Sequence, residues 1–193
     1  MTDEQLLLEY RKSGNRELYA QLVYRYEREL FNYLRRYLGN AEMAEDVFQA
    51  AFLAVHLKCE TFQEGRRFRP WLYSIATNAA IDARRKNKRH MTVSLDTPRE
   101  QDDEDVGRLM NLLESPEINP ADSAENAERG QLVRRSLDSL PESMTSVIHL
   151  VYYQGMKYRE AAEVLDIPVG TVKSRINSAI HKLTDIWNNS HVD

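Results

Sequence analysis

Residues 158–183 read YREAAEVLDIPVGTVKSRINSAIHKL, two short helical pieces with a break between them. The first piece places small or apolar side chains at Ala161, Ala162 and Leu165. Asp166-Ile167-Pro168 interrupts it, because proline is excluded from a helix interior but suits the first turn of the next helix. At about 100° per residue, Val172, Ile176, Ala179, Ile180 and Leu183 share one side of the second piece, which starts near Pro168, while Gly170, Ser174, Asn177, Ser178 and His181 share the other. Lys173 and Arg175 flank the apolar stripe on opposite edges. The pattern predicts a helix-turn-helix. A docked helix with a small, polar outer face and cations on its shoulders can enter a major groove, where side chains meet base edges and cations meet phosphates. The same pattern also fits an ordinary helical hairpin with a solvated face.

The chain has 193 residues, 42% of them hydrophobic, enough for one good core or two small ones. Its single cysteine, Cys59, excludes an internal disulfide framework and a multi-cysteine metal site, and its apolar neighbours predict a buried structural thiol. No apolar run reaches the roughly 18 residues that span a bilayer. The start, MTDEQLLLEY, lacks the basic region and cleavage pattern of a signal peptide, so a cytoplasmic protein is expected. The formal net charge of −4 conceals an uneven distribution. Residues 1–90 hold 16 Lys/Arg against 12 Asp/Glu, residues 91–130 hold 3 against 11, and residues 131–193 hold 7 against 7. Phosphate responds to a local basic surface rather than to net charge, and Arg84-Arg85-Lys86-Asn87-Lys88-Arg89 is such a run. The histidines show no HExxH spacing, and neither GxxxxGK[ST] nor GxSxG occurs. Neither catalysis, nor a cofactor, nor a metal is expected.

Helical spacing runs from Thr2 to Tyr37 through Leu6, Leu7, Tyr10, Leu18, Leu22, Tyr26, Leu30, Tyr33, Leu34 and Tyr37, with Ser13-Gly14-Asn15 dividing a short helix from a longer one. These side chains are expected in a core. After Gly39-Asn40, a helix from about Ala41 to Lys58 is expected to turn Met43, Val47, Ala50, Ala54 and Leu57 inward. Its other side gathers Glu42, Glu45, Asp46 and Gln49, an edge that reads either as a contact face or as a solvated one favoured by the helix dipole. The polar loop TFQEGRRF, residues 61–68, leads into Pro70 and a third long helix. There Leu72, Ile75, Ala76, Ala79 and Ala83 form the expected buried stripe. Trp71, Ser74, Asn78, Asp82 and Arg85 form a second stripe about 100° around. A ring that stacks, side chains that read base edges and cations that hold a backbone suit unstacked DNA. The alternative puts Trp71 in the core and Asn78 against a neighbouring loop.

Between His90 and Ala127 no period persists, and the acidic run Glu100–Asp105 predicts a flexible linker. Within it, Val106–Leu113 either docks in a groove or forms a transient helix. Helical spacing returns at Leu132, Val133, Leu137 and Leu140, breaks at Leu140-Pro141-Glu142, and resumes from Met144 to Tyr153 before Gln154-Gly155. The expected fold is all-α. Two small helical domains, 1–90 and 128–193, are joined by an acidic linker, 91–127, and the second is a winged-helix-like, four-helix domain ending in the helix-turn-helix.

Two stretches, AEDVFQAAFLAVH…F…WLYSIATNAAIDARRK and LPESMTSVIHLVYYQGMKYREAAEVLDIPVGTVKSRI, resemble the bacterial sigma-70 family, and specifically its small extracytoplasmic-function (ECF) group. The match in order and spacing covers most of the chain. The resemblance implies that the helix bearing Glu45, Asp46 and Gln49 binds core RNA polymerase, against a coiled coil of the largest subunit. It implies that the Phe62–Phe68 loop, with Arg66 and Arg67, and the Trp71–Arg85 helix open and read the promoter −10 element. A flipped base is expected in the loop's pocket, with Asn78 and Asp82 at recognition positions. The helix from Gly170 would read the −35 element, with Lys173, Ser174 and Arg175 as the matched residues and Tyr158, Arg159, Thr171, Asn177 and Ser178 in the same interface. The linker would run through the polymerase toward the RNA exit path. The implied partners are core polymerase, promoter DNA and an anti-sigma factor, with no membrane insertion.

The chain departs from the family pattern at Ala50, where a glutamate is common, and at Ser178 and Ile180, where S-R-x-x-R-A-R carries arginines. Its −35 affinity or base preference is expected to differ accordingly. Two rivals stand beside this reading. A regulator of the response-regulator type predicts duplex binding without polymerase and leaves the WLY helix unexplained. An adaptor or decoy that uses the same helices for protein contact predicts no transcription from any promoter.

Overall fold

A computed structural model describes residues 1–91, 136, 137 and 139–190. Among them are seven α-helices and no strand: α1 (Asp3–Ser13), α2 (Arg16–Leu38), α3 (Ala41–Lys58), α4 (Phe68–Met91), α5 (Glu142–Ile148), α6 (Tyr158–Leu165) and α7 (Val169–Ser190). The chain divides into two compact units, the first built on α1 to α4 with Glu160–Asp166 grouped to it, and the second on α5 and α7. The acidic stretch expected as a linker, the Val106–Leu113 segment within it, and Leu132 and Val133 lie outside the described residues. No described helix is long and apolar enough to cross a membrane.

In the first unit the helix boundaries follow local chemistry. Thr2 caps α1 by accepting from the Gln5 backbone N–H, and the Gln5 side chain answers by accepting from the Thr2 backbone N–H. Asn15 and Asn40 cap α2 and α3 in turn by accepting from Glu17 and Met43. The α2 stripe sits where its spacing predicts: Leu22, Tyr26, Leu30, Tyr33, Leu34 and Tyr37 are all buried. Burial of each such side chain contributes about 1.5–3 kcal/mol. The hydroxyl of the fully buried Tyr33 meets Thr77 Oγ1 at 2.8 Å, so this phenol enters the core with its polar atom satisfied.

Two expected stripes are rotated. On α3 the buried residues are Ala44, Val47, Ala51, Phe52 and Val55, whereas Ala50 is exposed and Leu57 is 70% exposed. The helix carries apolar side chains on nearly every side, so spacing alone leaves its inner face open. Phe52, packed against Phe48 and Tyr19, removes more apolar area from water than the alanines of the rival face. On α4, Leu72 and Ala76 are buried as expected, but Ile75, Ala79 and Ala83 are only half-buried. The buried line runs instead through Tyr73, Thr77, Ala80 and Arg84. Polar partners permit this. Tyr73 donates to Glu29 at 2.9 Å, Thr77 meets Tyr33, and the Arg84 guanidinium lies over an aromatic face, 5.7 Å from the Tyr37 ring centre.

In the second unit Leu137, Leu140, Ile148, Ala179 and Leu183 form a core against which Met144, Tyr152 and Tyr153 pack. The helix expected from Met144 starts earlier, at Glu142, because the Pro141 carbonyl accepts from both Met144 and Thr145. It widens into a π-helical turn over His149–Tyr153, for which the sequence carries no signal.

Candidate nucleic-acid interface

The turn between α6 and α7 is made by Asp166 in the left-handed region at φ 51°, a conformation that aspartate tolerates better than most residues. The Pro168 carbonyl then accepts from Thr171 at 2.9 Å and Val172 at 3.2 Å, which starts α7 directly behind the proline. The apolar stripe Val172, Ile176, Ala179, Ile180 and Leu183 is buried. Gly170, Lys173, Ser174, Asn177, Ser178 and His181 are exposed, as the spacing predicts. Arg175 and Thr171 are half-buried at the shoulders, and Tyr158 and Arg159 are exposed at the start of α6. The Ser174 hydroxyl donates to the Thr171 carbonyl at 3.1 Å.

This face revises the account of the two absent arginines. Ile180 is 6% exposed and belongs to the core stripe, so only Ser178 alters the outer surface. Gly170 has no internal reason to be glycine: its φ is ordinary for a side chain, and an added Cβ would meet nothing within 4 Å.

On the first unit, an open cleft of about 370 Å³ lies between α3 and α4. Its polar lining is Lys58, Arg66, Ser74, Asn78 and Asp82, and its apolar wall is Ala50, Ala54, Trp71, Ile75 and Ala79. Asn78 and Asp82 are exposed on that wall, and Arg67 and Arg85 are exposed outside it. Arg66 sits in a turn closed by its own N–H donating to the Gln63 carbonyl at 3.2 Å, with Gly65 at φ 85°.

Of the two readings left open for Trp71 the structure selects the core one, and the loop phenylalanines Phe62 and Phe68 turn inward with it: the three rings are 6%, 2% and 0% exposed. The ring centres of Phe62 and Trp71 are 4.9 Å apart, and those of Phe68 and Trp71 are 6.1 Å apart. Three large apolar rings lose more by exposure than the loop gains by offering them, so they form its floor. The basic run is corrected: Arg84 turns inward while Arg85 and Lys86 are exposed, and the side chains of Lys88 and Arg89 lie outside the description.

The edge of α3 holds Glu42, Glu45, Asp46 and Gln49, all exposed, and Gln49 Nε2 donates to Glu45 Oε1 at 3.2 Å. Leu53 and Leu57 continue the exposed surface of this helix, and the sequence reading missed them by turning Leu57 inward. Lys58 was missed too. Its signal was its spacing, four and eight residues beyond Ala54 and Ala50 on the same helix. Cys59 is buried as expected. Among the described residues no group of three or more His, Cys, Asp or Glu side chains could hold a metal ion.

Comparison with known proteins joins these surfaces. The family model for sigma-70 region 2 matches residues 22–90, and that for sigma-70 region 4 matches residues 136–185. The ECF RNA polymerase sigma factor SigW of Bacillus subtilis is 32% identical over 86% of this chain and 87% of its own length. This chain belongs to the sigma-70 family, in its ECF group. The ECF RNA polymerase sigma-E factor of Escherichia coli is 31% identical over 90% of this chain and 88% of its own. Among solved structures, CnrH in complex with the cytosolic domain of CnrY is 27% identical, covers 97% of each chain and gives a TM-score of 0.67. The sigma factor RpoE of Bartonella quintana, solved with the anti-sigma factor NepR, shares the fold at 19% identity, covers 88% of this chain and 96% of its own, and has a TM-score of 0.62. The chain is thus an RNA polymerase sigma factor, and a regulator of the response-regulator type would leave the region 2 match without an explanation.

Proposed function

We propose that this sigma factor holds core polymerase with the α3 edge of Glu45, Asp46 and Gln49 and reads promoter DNA with two surfaces, one on each unit. The cleft between α3 and α4 takes a base flipped from the −10 element. The observation that carries this reading is the convergence of Arg66, Asn78 and Asp82 on one open cleft, which supplies a cation, an amide and a carboxylate to a single small ligand. Residues 1–90 serve core binding and −10 opening, and residues 128–193 serve −35 recognition. The outer face of α7 enters the major groove, with Lys173 and Arg175 meeting phosphates. The factor contributes no chemistry of its own and works in the cytoplasm with the polymerase. A protein of the anti-sigma kind is its restraint, a role supported by the similarity to CnrH, solved in complex with the cytosolic domain of CnrY.

Reconstitution with bacterial core polymerase and run-off transcription over a promoter library tests this reading. Promoter-dependent transcripts are expected; no association with core would overturn it. Two substitutions probe the α7 face. Ser178→Arg is expected to strengthen −35 duplex binding and to steepen its salt dependence by about one phosphate contact, and an unchanged slope would count against the outer-face assignment. Gly170→Ala is expected to stabilise the second unit by up to about 1 kcal/mol through helix propensity, because nothing obstructs the methyl group. The same variant should weaken −35 binding, since the glycine then serves close approach to DNA. Thermal unfolding and duplex titration on the same sample check both signs.

A further inference from the structure

The loop between Phe62 and Phe68 is held at both ends by α1, a helix outside the residues matched by the region 2 model. At one end Arg11 Nη1 donates to the Phe62 carbonyl at 3.1 Å, and Arg11 Nη2 stands 4.0 Å from Glu64. At the other end Glu4 Oε1 accepts from the Phe68 backbone N–H at 2.9 Å. Phe68 is the first residue of α4, where backbone N–H groups lack intrahelical acceptors, and Pro70 in the same turn has no N–H to offer. A carboxylate from another helix therefore caps α4 and meets the positive end of its dipole.

Glu4 can do this because α1 is itself fixed. Thr2 caps the helix, and Asp3 accepts from Arg25 and from the Tyr26 hydroxyl, each at 2.6 Å, which ties α1 to α2. Leu6 and Leu7 are fully buried beneath it. Burial alone would raise the Glu4 carboxyl pKa, but the N–H groups of Phe68 and Glu4 and the Thr2 side chain outweigh this and hold it below the ordinary value. The carboxylate is charged at neutral pH.

We propose that α1 is the positioning element of the −10 loop: Glu4 and Arg11 fix its two ends, and so set where Arg66 and the adjoining cleft wall stand. Both are positioning residues that touch no DNA. The proposal rests on the −10 reading of the cleft. Within the loop, the turn around Gly65 closes through the Arg66-to-Gln63 bond, a local contact that does not set the loop's attitude to α4. The anchors do.

The test uses the full chain bound to core polymerase and, as probe, a single-stranded non-template −10 oligonucleotide taken from a promoter active in the run-off library. Glu4→Ala and Arg11→Ala are each expected to weaken oligonucleotide binding roughly tenfold, the loss associated with a charge-assisted hydrogen bond. Affinity for core and for a −35 duplex should stay at the wild-type level. Glu4→Gln retains a carbonyl acceptor and should recover most of the loss, which a general packing defect would not allow. Hydrogen exchange over residues 62–72 should quicken in Glu4→Ala and return toward wild type in Glu4→Gln. Wild-type oligonucleotide affinity in the double Ala variant would overturn the proposal, as would a parallel fall in core and −35 binding. Asn78→Ala is measured alongside. If it weakens oligonucleotide binding while the α1 variants do not, the α1 proposal alone fails; if it has no effect, the cleft reading fails and takes this proposal with it.

Discussion

Trp71→Ala is expected to destabilise the first unit by about 3–5 kcal/mol, the range for removing a large buried aromatic side chain. The ring is 6% exposed and packs on Phe62 and Phe68, so truncation leaves a cavity beside the loop. Urea unfolding followed by helical circular dichroism measures the change, and an unshifted midpoint would show that the ring is not part of the core. Trp71→Phe should cost less, because it keeps a ring against the same neighbours. The comparison matters for function. If the indole worked by stacking on an exposed base, Trp71→Ala would lower single-strand binding with stability unchanged. The geometry predicts the opposite order, with folding lost first and binding lost as its consequence.

The sequence disclosed most where side chains of one kind repeat on one side. The leucines and tyrosines of α2 and the stripe of α7 left a single inner face, and the structure buries those residues. On α3 the pattern was degenerate. With Met43, Val47, Ala50, Ala54 and Leu57 on one side and Ala44, Ala51, Phe52 and Val55 on the other, a rotation of the helix changes which apolar residues enter the core without breaking periodicity. Tertiary packing decided between them. Polar residues misled for a different reason. Arg84 was expected in the basic surface run, but it is buried over Tyr37 on α2, on the same buried line as Thr77, which meets Tyr33, and such partners lie some forty residues away in sequence. The Glu4 cap on Phe68 spans 64 positions and leaves no local trace. Of the candidate sites, the outer face of α7 was legible because exposure follows directly from periodicity. The cleft was legible in its polar members, Asn78 and Asp82, and open to two readings at Trp71, which sits at the boundary between the buried line and the cleft wall.

Asn78→Ala is expected to reduce binding of the −10 single strand by about 1–3 kcal/mol, the discrimination carried by a well-placed amide on a base edge. That corresponds to a loss of roughly 5- to 150-fold. The side chain is exposed on the cleft wall, so its removal should leave stability within about 0.5 kcal/mol of wild type. An amide carries a donor and an acceptor together, and alanine deletes both. Asn78→Asp keeps an acceptor, loses the donor and places a second carboxylate four residues from Asp82 on the same helix face. It should therefore change which base is preferred as well as how tightly the strand is held. Titrating holoenzyme with oligonucleotides that carry each of the four bases at every −10 position separates these effects. Arg85→Ala supplies the contrast: a cation meeting the backbone is blind to sequence, so its loss should weaken all oligonucleotides alike and lower the salt slope by about 0.7. If Asn78→Ala instead weakened all bases equally, the amide would be holding the strand rather than reading it, and base selection would have to come from the shape of the cleft or from Asp82.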